Sequence, residues 1–270
     1  MGEVASERVV VLLGAGRVAT HLAPALLSAG CHIAQIYSRT IDAARALAQP
    51  LGVSYTDNLD ALTSEAHIYI ACVADEALPS VAGALCARVN SQRSSANNFP
   101  LFLHTAGSVS MDVWRNAGAK HYGILYPLQT FSKERRVDMR EVSLFVEASD
   151  ETTLCVTEQL AYSLSFKVYR ADSALRAQLH IAAVFACNFT NAMYGIAHQL
   201  LAQGGIPFDV LLPLIDETAA KVHTLVPREA QTGPAVRGDD IVMKRHIETL
   251  SQTPELQSLY EQISALIARK

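Results

Sequence analysis

Three groups of residues have the types and spacing to do chemistry. The first is Gly14-Ala15-Gly16-Arg17-Val18-Ala19, a G-x-G-x-x-A turn that follows the apolar run Val9–Leu13. Gly14 allows a tight turn off a strand, Gly16 lets backbone approach a pyrophosphate, and Ala19 lets the next helix pack closely. That helix would aim its N-terminal N–H groups at an anion. The second group is Ser38-Arg39-Thr40, about 20 residues further on. An NAD-binding chain places Asp or Glu there for the ribose 2′-OH. Two hydroxyls and a guanidinium suit a 2′-phosphate instead, which favours NADP(H). Asp42, the nearest carboxylate, fits a first-turn charge on the following helix.

The third group lies in a long apolar helix. Arg176, His180 and Asn188 recur at multiples of four, and Asn191 follows. At about 100° per residue, His180 and Asn188 lie within about 80° of each other. The residues between them begin Ile181-Ala182-Ala183-Val184-Phe185-Ala186, which predicts buried surroundings. A buried His and Asn need partners, and a substrate could supply them. A core histidine and an amide bonded to backbone fit the same pattern. A further polar stretch, Thr232 to Asp240 with His246 beyond, combines Gly-Pro and Arg-Gly-Asp before a helix. Asp239 or Asp240 could cap that helix. Arg237 could hold the loop, serve an interface or anchor an anionic substrate.

The elements that must position these groups alternate. Strands are expected near 8–13, 32–37, 53–55, 66–73, 100–104, 123–126, 142–146 and 166–169, with helices between most of them. Pro24 predicts a kink in the first helix, and 91–98 reads as a polar loop. This is an α/β chain with a Rossmann doubly wound parallel sheet. Ligands in such sheets bind beyond the carboxyl ends of the strands. That gathers Gly14–Ala19, Ser38–Thr40, Val73 and Ala74, His104, Thr105, Ala106, Gly107 and Ser108, and Tyr126 to Thr130, including Gln129, around one crevice. After Ala171-Asp172-Ser173 the pattern becomes all-helical. The expected division is a dinucleotide-binding domain over 1–171 and a helical domain over 172–270.

Composition narrows the function classes. Half of the 270 residues are hydrophobic, 18% are charged, and the formal net charge is −4. No basic stripe with interleaved aromatics suggests a nucleic-acid partner. The five cysteines are scattered without C-x-x-C, as in reduced, buried thiols. The histidines show no metal-ligand spacing. With no signal-peptide pattern and no unbroken apolar run of about 18 residues, the expectation is a cytoplasmic chain without a membrane partner.

Five stretches together resemble a known family: Gly14–Ala19, His104–Ser108, Tyr126-Pro127-Leu128-Gln129-Thr130-Phe131, the helix from His180 to Asn188, and Thr232 to Asp239. The chain resembles the Rossmann-like, DUF2520-containing NADP oxidoreductases, related to pyrroline-5-carboxylate reductases and to 6-phosphogluconate and β-hydroxyacid dehydrogenases. The resemblance implies an N-terminal NADP-binding domain and a helical domain, like the 6-phosphogluconate dehydrogenase C-terminal domain, that forms homodimers. The DUF2520-like part of that division could start near 140. Two departures matter. Tyr126 stands where a histidine is expected before Pro-Leu. Val184 stands where β-hydroxyacid dehydrogenases carry a Lys, which counts against 3-hydroxyacid oxidation.

The resulting expectation is an oxidoreductase that transfers a hydride between NADP(H) and a small C=O or C=N substrate. NADP(H) would lie on Gly14, Ala15, Gly16, Arg17 and Val18, with Ser38, Arg39 and Thr40 at its 2′-phosphate. Val73, Ala74 and His104–Gly107 would line the rest of its path. His180 would donate the proton, as histidine's near-neutral titration suits. Asn188 would orient the substrate and Tyr126 would assist, with Ser108, Gln129 and Arg237 as candidate substrate contacts. The alternatives are a non-catalytic NADP(H)-binding sensor and a pyrroline-5-carboxylate reductase-like imine reductase.

Overall fold

Val9–Leu13 is apolar throughout because both of its faces are covered, as expected of a central parallel strand. The structure, a computed structural model, describes residues 8–92 and 100–269. The chain forms two compact units, Met1–Asn191 and Ala192–Lys270.

The first unit carries an eight-stranded sheet. Its strands are β1 (Val9–Leu13), β2 (His32–Tyr37), β3 (Ser54–Thr56), β4 (Ile68–Ala71), β5 (Leu101–His104), β6 (His121–Leu128), β7 (Ser143–Ala148) and β8 (Val168–Arg170). Their order is β3-β2-β1-β4-β5-β6-β7-β8. The strand order reverses between the parallel neighbours β1 and β4, the switch point at which a crevice opens beyond the strand ends. It is not wholly parallel: β7 runs antiparallel to β6, and β8 parallels β7. The β6–β7 connection returns without a crossover helix, so reversal is the available geometry.

β6 also runs past the end expected for it, through Pro127 to Leu128. Its pairing with β5 stops at Ile124, while pairing with β7 continues to Leu128. Beyond Ile124 one edge of β6 has no partner strand, so a proline lacking an N–H is tolerated there.

Helices cover both faces. They are α1 (Arg17–Ser28), α2 (Ile41–Ala48), α3 (Leu78–Gln92), α4 (Asp112–Asn116), α5 (Glu151–Leu164) and α6 (Ser173–Ala183). One core packs Val10, Leu12, Leu125, Leu144 and Val146 against Leu22 of α1 and Leu160 of α5. The other packs Val11, Leu13, Tyr69 and Phe102 against Leu85 and Trp114. Each fully buried aliphatic side chain contributes roughly 1.5–3 kcal/mol of transfer free energy. α1 passes through Pro24 as one helix. Ser91 and Gln92 complete α3, and the rest of the polar stretch expected to 98 lies outside the described residues. The 59–61 turn is a short 3-10 helix, with the Asp60 N–H donating to the Asn58 side chain.

The long helix spans Ser173–Gln203 but changes type. α6 passes into a π-helical turn, Val184–Phe189, before α7 (Thr190–Gln203). By length and composition this helix could cross a membrane. Its Arg176, however, is buried against the sheet through an ion pair with Glu147. The first part of the helix, α6, is therefore packed on the sheet of the first unit.

The second unit holds most of α7, then α8 (Leu212–Lys221), α9 (Pro227–Ala230), α10 (Pro234–Arg237), α11 (Asp240–Thr249) and α12 (Pro254–Ala268). Asp239 caps α11 by accepting from the Val242 N–H. Among the described residues of this unit, Ala235 is the only buried hydrophobic one. α7, α11 and α12 instead surround an apolar cavity of about 310 Å³ that includes Met193, Leu250, Leu259 and Ile263.

Candidate functional site

Gly14 has φ +111°, and a side chain there would run into the Cys72 carbonyl. A glycine is therefore required where β1 turns toward α1 past the end of β4. The Gly14 N–H donates to the Tyr37 carbonyl at 2.7 Å, locking the turn to the end of β2. Gly16 is the N-cap of α1, and a Cβ there would meet nothing within 4 Å. No side chain caps α1 and no carboxylate lies in its first turn. The helix start is an uncapped electropositive terminus facing open space, which suits a pyrophosphate.

At the end of β2, Ser38 is half-buried, and Arg39 and Thr40 are exposed. Arg39 forms no ion pair among the described residues, so its guanidinium is available. Asp42 pairs with Arg45 in the first turn of α2 and is spent there. The residues fit the ribose end of a dinucleotide. Val73, half-buried, and Ala74, exposed, follow β4 on the same side of the sheet.

The turn after β5 joins this surface to a second polar group. Thr105 is held by its N–H on the Ala71 carbonyl. His104 is fully buried with its ring 6.4 Å from Trp114, so only its backbone lines the crevice. Its Nδ1 accepts from the Ala106 N–H at 3.2 Å, which shapes the turn. Burial, and then the Arg176 guanidinium, push the His104 pKa down to about 3. The ring is neutral near pH 7.

Gly107 sits where a Cβ would lie 2.7 Å from Tyr126 Cζ and 2.8 Å from His180 Nδ1. The Tyr126 hydroxyl and His180 Nδ1 share a hydrogen bond of 3.2 Å. Burial raises the Tyr126 pKa, the Arg176 charge opposes the rise, and Asp75 adds to it. Asp75, just beyond β4, accepts a short hydrogen bond from the Ser108 hydroxyl. The first unit thus gathers Asp75, Gly107, Ser108, Tyr126 and His180 at the strand ends.

Arg176 holds this arrangement. Its guanidinium pairs with Glu147 of β7, donates to the Val109 carbonyl at 2.7 Å and contacts the Ser173 hydroxyl. It ties the helix carrying His180, one turn further on, to the loop carrying Gly107. The sequence pattern placed Arg176 on the His180 side of the helix but gave no sign of Glu147, because that contact depends on the reversed strand β7.

The structure distributes the remaining candidates differently. Asn188 is exposed and lies in the π-turn. A turn closed by i→i+5 bonds takes roughly one residue more than an α-turn. Two turns then take about eight residues, so Asn188 returns to the His180 stripe instead of lying 80° away. The surroundings are not buried as expected: Ile181 is 58% exposed and Phe185 61%. These apolar side chains find no cover among the described residues. The Gln129 side chain accepts from the Thr130 N–H. Arg237 ends α10 in the second unit and is exposed. Among the described residues no group of three or more metal-ligating side chains occurs. Of the cysteines, Cys31, Cys72 and Cys86 are buried, but Cys155 is exposed and Cys187 half-buried. Cys155 occupies the solvent face of α5, so burial holds for only part of the set.

Residues 8–95 match a family model described as NADP oxidoreductase, coenzyme F420-dependent, and 142–267 match a domain of unknown function, DUF2520. The crystal structure of BF3122 from Bacteroides fragilis, described as a candidate NADP oxidoreductase, is 45% identical. The match covers 98% of this chain and 99% of that one, with a TM-score of 0.89. The chain belongs to the DUF2520-containing family of NADP oxidoreductases. The fold of this family member extends to more distant enzymes. An imine reductase from Myxococcus stipitatus, solved with NADP+, has a TM-score of 0.65 at 15% identity, covering 96% and 92% of the two chains. A 1-pyrroline-5-carboxylate reductase from Streptococcus pyogenes has a TM-score of 0.61 at 12% identity, covering 97% and 98%. Among curated proteins no match is found.

Proposed function

We propose that this protein is an NADP(H)-dependent oxidoreductase acting on a small C=O or C=N substrate. The observation that carries the reading is the Tyr126–His180 hydrogen bond, pressed against Gly107 in the turn after β5. A bound NADPH would supply the hydride. Gly14–Val18 would hold its pyrophosphate, and Ser38, Arg39 and Thr40 its 2′-phosphate. With the Tyr126 oxygen accepting from Nδ1–H, a protonated His180 carries a second proton on Nε2 and becomes a neutral imidazole when it gives that proton up. That proton can pass to the substrate heteroatom as charge develops there. Asn188, on the same stripe after the π-turn, would orient that heteroatom.

The Asp75 carboxylate beside Ser108 favours a protonated C=N over an anionic hydroxyacid. Its charge stabilises an iminium and repels a carboxylate, and Arg176 is already neutralised by Glu147. The protein would work as a cytoplasmic homodimer. The exposed Phe185, Leu214 and Ile241 would be covered by a second copy.

The test is a screen of paired imines and ketones with NADPH. His180→Ala and Tyr126→Phe are expected to lower kcat by roughly 10²-fold or more while leaving NADPH affinity unchanged. Full turnover in both variants would remove these residues from the mechanism. NADPH binding without turnover of any substrate would leave a cofactor-binding sensor. Arg39→Ala should weaken NADPH but not NADH, and equal affinity of the wild type for both would reject the 2′-phosphate reading.

A further inference from the structure

The strand register aligns three aromatic residues across the outer part of the sheet. Tyr126 of β6 lies opposite Phe145 of β7, and Phe145 lies opposite Tyr169 of β8. All three point away from the core formed by Leu125, Leu144 and Val146 with α5. The ring centroids of Tyr126 and Phe145 are 6.4 Å apart. Those of Phe145 and Tyr169 are 5.3 Å apart with planes 25° from parallel. At the inner end, the Tyr126 ring meets His180 edge-on at 6.3 Å.

We infer that Phe145 and Tyr169 form an aromatic shelf for a flat apolar substituent of the substrate, with Tyr126 as the junction to the reacting end. The inference rests on the function proposed above.

Exposure along the row argues for it. Tyr126 is 8% exposed, Phe145 is half-buried and Tyr169 is 50% exposed. The row leads from the candidate proton-transfer pair to the sheet edge, and the outer rings grow more open along it. Two strand spacings of about 4.8 Å give the shelf a length of about 10 Å, enough for one or two fused rings. The neighbouring position on this face of β7, Glu147, is taken by Arg176. The shelf therefore has a polar border on one side and offers no free charge along its length. Rings stacked on each other in this way turn their edges outward, and such edges hold the face of a flat apolar group in a T-shaped contact. A substrate with only a short alkyl group would engage Tyr126 and His180 but leave the shelf unused.

The test is isothermal titration of the full chain with benzylamine and with propylamine, each with and without saturating NADP+. Because the strands build the shelf, the preference is expected in both conditions. Benzylamine should bind roughly tenfold more tightly than propylamine. The double variant Phe145→Leu, Tyr169→Ser keeps apolar volume at the half-buried position. It should bring the two amines within about twofold of each other while leaving propylamine affinity unchanged.

Equal affinities in the wild type, absence of benzylamine binding, or a preference that survives the double variant would overturn the shelf. So would a change in sedimentation of the double variant, since a second copy would then cover this face. Loss of the shelf with NADPH turnover intact would leave the proposed function standing. A benzylamine preference in a chain that binds no NADP+ would do the reverse.

Discussion

A methyl group added at position 107 would fall within 3 Å of both Tyr126 and His180. Gly107→Ala is therefore expected to cost about 1–3 kcal/mol of stability by overpacking and to push the two rings apart. Turnover should fall at least as far as in Tyr126→Phe while NADPH affinity holds within about twofold, measured by steady-state kinetics and cofactor titration. His104 gives a second outcome at this scale, in pH. Its folded pKa is about 3 against an ordinary 6.5. Its contribution is complete above pH 6.5 and is lost as pH falls toward 3, because the unfolded chain binds the proton first. Denaturant melts between pH 4 and 7 should show this loss, and His104→Asn should flatten it. Asp150, held near 2 by hydrogen bonds from Thr153, loses its contribution in a lower window, below its ordinary value. The glycine turn was legible in the sequence because its residue types are dictated by local geometry. The turn-shaping work of His104 was not, since a histidine ending a strand reads equally as a ligand.

Elements meet at Arg176. It is 1% exposed and joins α6, β7 and the loop after β5. Removing one partner of a buried ion pair leaves the other uncompensated, at about 3–5 kcal/mol. Arg176→Ala and Glu147→Gln should each lower the unfolding free energy from denaturant melts by that order, and the double variant Arg176→Met, Glu147→Leu should recover much of it. Periodicity gave the strands of the first unit and the span of the long helix. It could not give the reversal at β7, which depends on a connection that lacks a crossover helix. Nor could it give the π-turn, since Val184–Phe189 is as apolar as an ordinary helix. One carbonyl there, that of Phe185, is met by the Thr190 hydroxyl at 3.1 Å.

The molecule as a whole divides unevenly in its ability to stand alone. Both described hydrophobic cores lie within 9–168, whereas the described residues of the second unit include one buried hydrophobic residue, Ala235. A fragment ending at Asn191 is expected to fold cooperatively and to bind NADPH, measured by circular dichroism and titration. A fragment of 192–270 should not fold by itself. Within the full chain, Phe185→Asp with Leu214→Asp should convert a sedimenting dimer to a monomer. The junction between the units is a helix, Ser173–Gln203, and not a loop. A loop absorbs a gained or lost residue at little cost. A helix cannot, since each such change turns everything after it by about 100° relative to everything before it. Length variation among descendants of this chain should therefore collect in its loops, while Ser173–Gln203 keeps its residue count, whatever its individual side chains become.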